Sequence, residues 1–203
     1  MANVALIGAS GDAGSRILAE LSYRGYLVTA IARNTDRIAS LPGVTPRQGD
    51  ANNQQTLEVL LKGHDAVISA VPFTASDAGA LVGAVRDAGV VRYLVVGGAG
   101  SLEVAPGEKV IDQPDFPEAY KPEARAGAEF LDFLRGVGDL DWTFLSPSAE
   151  FVPGERTGKF RLGQDTLLTR DEGSSISFED YAVALVDELE KPMHVRQRFT
   201  VGY

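Results

Sequence analysis

The feature that constrains this chain most is its opening segment, VALIGASGDAGSRIL at 4–18. Val4, Ala5, Leu6 and Ile7 form a short continuous apolar run, which is how a strand buried on both faces of a parallel sheet reads. Gly8, Gly11 and Gly14 follow at equal intervals. Ala13, Ile17, Leu18 and Leu21 then recur at helical spacing, while Ser15, Arg16 and Glu20 fall largely elsewhere. A strand, a glycine turn and a helix beginning near Gly11 make a unit that can cradle phosphate. The first glycine permits the tight turn, the second lets an anion approach the backbone, and the third lets the helix pack closely on the strand. The residues placed at the pyrophosphate on this reading are Gly8, Ser10, Gly11, Asp12, Ala13 and Gly14.

Glycine spacing by itself would be weak evidence. The chain has 22 glycines in 203 residues, and G-x-x-G-x-x-G carries one residue more than the usual G-x-G-x-x-G. Context supplies the weight, because the same alternation continues. YLVTAIAR (26–33) reads as a second strand and GVTPRQGD (43–50) as a proline-bearing edge strand. A helix over 53–63 leads to strand DAVISAV (65–71), and a helix over roughly 75–89 leads to strand RYLVVGG (92–98). A long loop follows at 99–121. Pro122 then opens a helix striped by Ala126, Phe130, Leu131 and Leu134 and ended by Gly136. DWTFLS (141–146) is the sixth strand. Residues 150–175, with KFRLG and TLLTR, suggest a small hairpin. Ser177 and Asp180 form a capping box ahead of a helix over 178–190, and RQRFTVGY closes the chain as a strand. The expectation is a single α/β domain over 1–203, with a doubly wound parallel Rossmann sheet of about seven strands and a small C-terminal hairpin.

Composition narrows the function. A formal charge of −9 and a pI near 4.7 argue against a nucleic-acid surface, which needs clustered cations. There is no cysteine, so no disulfide framework, thiol nucleophile or thiolate metal site is available. No apolar segment reaches the ~18 residues of a membrane span, and no basic leader is evident, so a cytoplasmic protein without a membrane partner is expected. His64 and His194 read as ordinary histidines, and no metal site is expected.

In an open α/β sheet the ligand lies beyond the carboxyl ends of the strands. Those ends carry Arg33 and Asn34, Gly49 to Ala51, Ala70-Val71-Pro72 and Gly97-Gly98-Ala99. Arg33 is the most informative. An NAD-preferring fold places an acid at the end of its second strand for the ribose hydroxyls, whereas an arginine suits the 2′-phosphate of NADP, with Arg37 one turn on to assist. The competing reading is a solvated arginine. Asp50 either accepts from the adenine amino group, with Ala51 covering the ring, or joins Asn52 in capping the next helix.

GASGDAG, ARN, QGD, VVGGAGSL, DWTFLSPS, ERTGKFRLG, SISFEDYAVALVDELE and RFTVGY together give the chain a resemblance, over its whole length, to a known group. It resembles the atypical short-chain dehydrogenase/reductases, specifically the NAD(P)H-binding, NADH-flavin reductase-like proteins related to biliverdin/flavin reductase B and the NmrA-like proteins. The resemblance implies a seven-stranded NADP-binding Rossmann fold. It puts Arg33 near the 2′-phosphate, Asp50 at the adenine, Val71, Gly97 and Gly98 beside the nicotinamide, and Pro147 and Ser148 by the carboxamide. It also exposes a departure. Classical members carry Tyr-x-x-x-Lys, in which the lysine lowers the pKa of a proton-donating tyrosine. Here Tyr120 is followed four residues later by Ala124, and aligning the helix through Glu129 and Phe130 puts Lys121 and Arg125 at the two positions.

Hydride transfer to a flavin or quinone needs less acid assistance, because the conjugated system spreads the charge. Lys121 and Arg125 are then candidates to stabilise a developing anion, and Ser101 to donate a hydroxyl; otherwise they are solvated helix residues and a turn residue. The leading expectation is an NADPH-dependent reductase of a conjugated small molecule. The alternative is an NADP(H)-binding redox sensor of the NmrA type that signals to a protein partner. A sugar-nucleotide epimerase fits less well, since it needs the tyrosine and more than the roughly 50 residues after the sixth strand for a substrate domain.

Overall fold

A computed structural model describes residues 2–203. The chain runs β1 (Asn3–Ile7), α1 (Asp12–Tyr23), β2 (Leu27–Ala32), β3 (Val44–Gln48), α2 (Gln54–Leu61), β4 (Ala66–Ser69), α3 (Ala78–Asp87) and β5 (Arg92–Val96). It continues through β6 (Glu103–Ala105), β7 (Glu108–Lys109), α4 (Lys121–Arg135), β8 (Asp141–Ser146) and β9 (Glu150–Val152). It ends with β10 (Arg161–Gly163), β11 (Ser175–Ser177), α5 (Phe178–Glu190) and β12 (Gln197–Gly202).

The central sheet has eight strands in the order β10-β12-β8-β5-β4-β1-β2-β3. Every neighbouring pair is parallel except β10 with β12. Because side chains alternate across a strand, the apolar run of β1 feeds two cores. Val4 and Leu6 join Ile17, Leu18, Tyr181 and Leu185 on the side of α1 and α5, while Ala5 and Ile7 join Leu57, Val85 and Phe130 on the side of α2, α3 and α4. Burial on both faces explains why the run is unbroken. The chain winds outward from β1 to β3, then restarts at β4 and winds the other way. The C-terminal ends of β1 and β4 therefore flank the topological switch point.

The expected C-terminal antiparallel pairing is present, with partners that periodicity did not foretell. Arg161–Gly163 pairs with the last strand, residue 161 opposite Gly202. The TLLTR stretch forms no strand and contributes only bridges at Thr166 and Arg170, while β9 pairs with β11 in parallel. Pro46 sits in the edge strand β3, where its missing N–H breaks no pairing to a further strand. The helix expected from about residue 75 starts at Ala78, capped by the Asp77 carboxylate, which accepts from the Ala80 N–H at 2.7 Å. Residues 73–75 form a separate 3-10 turn. No helix among the described residues is long and apolar enough to cross a membrane.

Candidate functional site

At the switch point the three glycines do three different things. Gly8 has φ +84°, and a Cβ there would lie 2.3 Å from the Ala70 carbonyl oxygen. At Gly14 a Cβ would lie 2.0 Å from the Gly8 carbonyl oxygen, so α1 rests directly on the turn. Gly11 differs. Its φ of −78° and ψ of 174° suit any residue, and its nearest neighbour to a Cβ would be Gly8 O at 3.5 Å. The fold requires glycine at both ends of the motif and leaves the middle position open. Gly11 is also the N-cap of α1, so no side chain caps that helix and its first N–H groups face outward, where the dipole favours an anion.

Gly8 and Gly11 line a cleft of about 260 Å³, and Gly14 stands behind it. The cleft is lined by Gly8, Ser10, Gly11 and Asp12 after β1, by Ala70, Val71 and Pro72 after β4, and by Arg33, Arg37, Gly49, Asp50 and Ala51 after β2 and β3. Four different strand ends thus meet, as the sequence expectation had them. Ile7, Ile31, Ala32 and Ala75 also line it. Sequence reasoning missed them; the first three are among the last residues of strands whose ends are implicated, and Ala75 closes the 3-10 turn just where the sequence predicts the next helix to begin.

Arg33 and Arg37 are exposed, and among the described residues no carboxylate lies within ion-pair distance of either guanidinium. The backbone of Arg33 is fixed, since Gln48 donates to its carbonyl at 3.2 Å. Asp50 does not cap α2; Asn53 does, accepting from the Thr56 N–H at 3.0 Å. One Asp50 oxygen accepts from the Asn52 N–H at 2.9 Å. Beyond Asp50 a wide hollow of about 770 Å³ is lined by acids and amides such as Asn53, Glu58 and Asp87, with no cation, and does not suit phosphate.

The remaining expected residues stand elsewhere. Ala13 and Gly14 are inside α1 behind the turn. The Asn34 side chain caps the 3-10 turn at 35–37, accepting from the Asp36 N–H. Gly97 is pressed on β8, its N–H donating to Leu145 O and its Cα facing the Phe144 ring. Gly98 and Ala99 follow it at the mouth of β5. Pro147 is buried, and Ser148 is 1% exposed with its hydroxyl donated to Val201 O at 3.0 Å, which ties β8 to β12.

The three candidate catalytic side chains are not at the cleft. Lys121 and Arg125 share a separate recess with Lys109, Asp112, Glu129 and Asp132, and Lys121 is paired with Glu118. The reason is helical register. The stripe of α4 turned to the sheet is Glu123, Gly127, Phe130, Leu131 and Leu134, and at ~100° per residue Lys121 and Arg125 fall well around the helix from it. Ser101 is held by Arg198, whose guanidinium donates to the Ser101 hydroxyl at 3.2 Å and to its carbonyl at 3.4 Å. That serine lines a different, smaller recess with Asp165 and Arg135.

The aromatic hydroxyls are packing groups. Tyr181 donates to Leu145 O at 2.7 Å, and burial pushes its phenol far above the ordinary value, as it does for Tyr93 against Ser69. The Trp142 indole donates to Val137 O. His64 bonds Thr29 and Leu61 O, and His194 bonds Glu188 and stacks on Phe199.

The fold and cleft together define a dinucleotide-binding protein built on a doubly wound sheet. Comparison makes the class definite: residues 8–192 match the family described as NAD(P)H-binding, and the chain belongs to it. Solved structures agree over the full length. A Burkholderia pseudomallei protein described as a candidate exported protein is 44% identical, with TM-score 0.90 and all of both chains covered. A candidate epimerase from Bacteroides thetaiotaomicron is 42% identical with TM-score 0.94, covering 100% of this chain and 97% of that one. A candidate NADH-flavin reductase from Streptococcus pneumoniae is 36% identical with TM-score 0.86, covering 100% of this chain and 99% of that one.

Proposed function

We propose that the protein is an NADPH-dependent reductase that passes hydride to a flavin, quinone or similarly conjugated acceptor. The observation that carries the reading is the cleft itself. Its middle glycine is free of close contacts, its helix N-terminus is uncapped, and Arg33 just after β2 and Arg37 in the following turn, where a 2′-phosphate would meet them, have no ion-pair partner among the described residues. The candidate NADH-flavin reductase from Streptococcus pneumoniae supports hydride transfer to a flavin, while the preference for NADPH rests on the two arginines. The bound nicotinamide supplies the hydride. The chain's own part is to hold the pyrophosphate on the N–H groups of α1, to neutralise the 2′-phosphate with Arg33 and Arg37, and to keep an apolar wall of Val71 and Pro72 on the opposite side.

Lys121, Arg125 and Ser101 line other recesses, so the acceptor must carry its own means of spreading charge. A conjugated ring system does this, whereas a simple ketone does not. The test is NADPH oxidation against a panel of flavins and quinones, with direct NADPH titration alongside. Turnover with at least one conjugated acceptor and none with simple ketones is expected. Tight NADPH binding without turnover on any acceptor would replace the enzyme by the redox sensor, whose partner would be another protein.

A further inference from the structure

The cleft wall after β4 is not held by its own strand. Residues 73–75 form an isolated 3-10 turn, and its N-terminal donors are taken by a side chain from another helix fifty residues away. Glu123, in the first turn of α4, accepts the Phe73 N–H at 2.7 Å on one carboxylate oxygen, and the Thr74 N–H at 2.9 Å and Thr74 hydroxyl at 2.7 Å on the other. Three donors on one carboxylate are a charge-assisted clamp. The same contact seats the Phe73 ring between Gly98 and Gly127, where the ring stacks on Phe144 at 5.9 Å and tilts against Phe130 at 5.3 Å. Gly127 gives the ring room, because a Cβ there would lie 3.0 Å from it, a tight contact that would press on the ring. The other end of the turn is fixed independently, by the Asn52 amide donating to Ala75 O at 2.9 Å.

We infer that Glu123 is a positioning residue for the nicotinamide half of the cofactor, an inference that rests on the dinucleotide reading above. Its carboxylate ties α4 to the turn at 73–75, whose N-cap is Pro72, and so sets the Phe73 ring against Gly98 at the glycine mouth of β5. Asn52 holds the Asp50 and Ala51 end of the same turn. Loss of Glu123 frees the wall beside Gly98 and leaves the wall at Asp50 in place. The effect therefore falls on one half of the ligand, which a role in stability alone would not produce.

The experiment compares two probes, NADPH and adenosine 2′,5′-bisphosphate, on the wild type, Glu123→Ala and Glu123→Gln, with Tm measured on each. In Glu123→Ala the Kd for NADPH should rise about tenfold, the scale of a mispositioned binding wall, while the Kd for the bisphosphate stays within about twofold. Glu123→Gln keeps the shape and one acceptor oxygen and should fall between, so it also serves if the alanine variant folds poorly. Unchanged NADPH affinity in both variants would overturn the role. So would an equal loss for both probes that tracks a lower Tm, since that is what a purely structural contact predicts. A wild type that binds neither probe would remove the dinucleotide reading, and this one with it.

Discussion

At the residue scale, the glycine motif separates what the fold needs from what a ligand needs. A Cβ at Gly11 meets no atom closer than ordinary contact, and the branches of a valine would occupy the approach to the helix N-terminus. Gly11→Val should abolish NADPH binding with an unchanged Tm, whereas Gly14→Ala, forced against Gly8 O, should cost more than ~1–3 kcal/mol of stability by urea unfolding. Normal NADPH binding by Gly11→Val would reduce the motif to a plain turn. Arg33 makes a second separation. With no carboxylate beside it among the described residues, its removal breaks no ion pair there, so Arg33→Ala should lower the preference for NADPH over NADH by about tenfold or more, the value of a charge-assisted phosphate contact of ~1.5–3 kcal/mol. Equal affinity for NADPH and NADH in the parent would remove the basis for this.

At the element scale, α4 and α5 show how register decides a side chain's work. Lys121 and Arg125 are on the wrong stripe of α4 to reach the cleft, so Lys121→Ala and Arg125→Ala should each leave NADPH oxidation within about twofold of the parent. A hundredfold loss in either would mean that the first turns of α4 rearrange to bring them in. In α5 the expected capping box is half formed. Ser177 accepts the Asp180 N–H at 2.9 Å, but the buried Asp180 carboxylate turns away, to the Gly158 N–H at 2.7 Å, the Thr157 hydroxyl and the Tyr203 hydroxyl at 2.8 Å. It fastens the ERTGK segment and the chain's final residue to the start of α5. Asp180→Ala removes a buried acceptor shared by three donors and should cost about 1–3 kcal/mol in urea unfolding, with Ser177→Ala also destabilising, since its hydroxyl caps α5 and bonds Glu155 O and the Tyr203 hydroxyl.

At the scale of the whole molecule, the seam between α1, α5 and the segment at 153–160 is ionic and sets an acid limit on stability. Burial raises the Glu20 carboxyl, but the guanidinium groups of Arg156 and Arg24 outweigh it and hold the group below its ordinary 4.5. Glu179 is also raised by burial, and the Gly154 N–H with Arg16 brings it below the same value. A carboxyl depressed in the folded state adds stability that is complete above its unfolded pKa and is lost as pH falls through the folded one. Urea midpoints should therefore be level near neutrality and fall as pH drops below about 4.5, the unfolded carboxylate range. Glu20→Gln should be less stable at pH 7 and show a shallower fall in acid. An identical acid slope in that variant would place the effect elsewhere.

Much of this was legible along the chain. The unbroken apolar run of β1, the glycine spacing and the strand-helix alternation fix a doubly wound sheet, because a strand covered on both faces and a crossover helix each leave a local pattern. The strand ends follow from that pattern, so Gly8, Gly11, Arg33, Asp50 and Val71 could be placed around one cleft before any contact was known. What depends on helix rotation and long-range pairing was not legible. Alignment to the resembled family made Lys121 and Arg125 candidates for a catalytic place or else solvated helix residues, and the angle at which α4 packs on Phe73 turns Glu123 and Gly127 inward instead. The strand at 161–163 has the same alternation whether it pairs with its neighbour in sequence or with β12, and only the position of the last strand at the sheet edge decides between them. Local periodicity reports which face of an element is apolar; tertiary packing selects the partner that face meets, and at this cleft that choice made Glu123 the residue holding its wall.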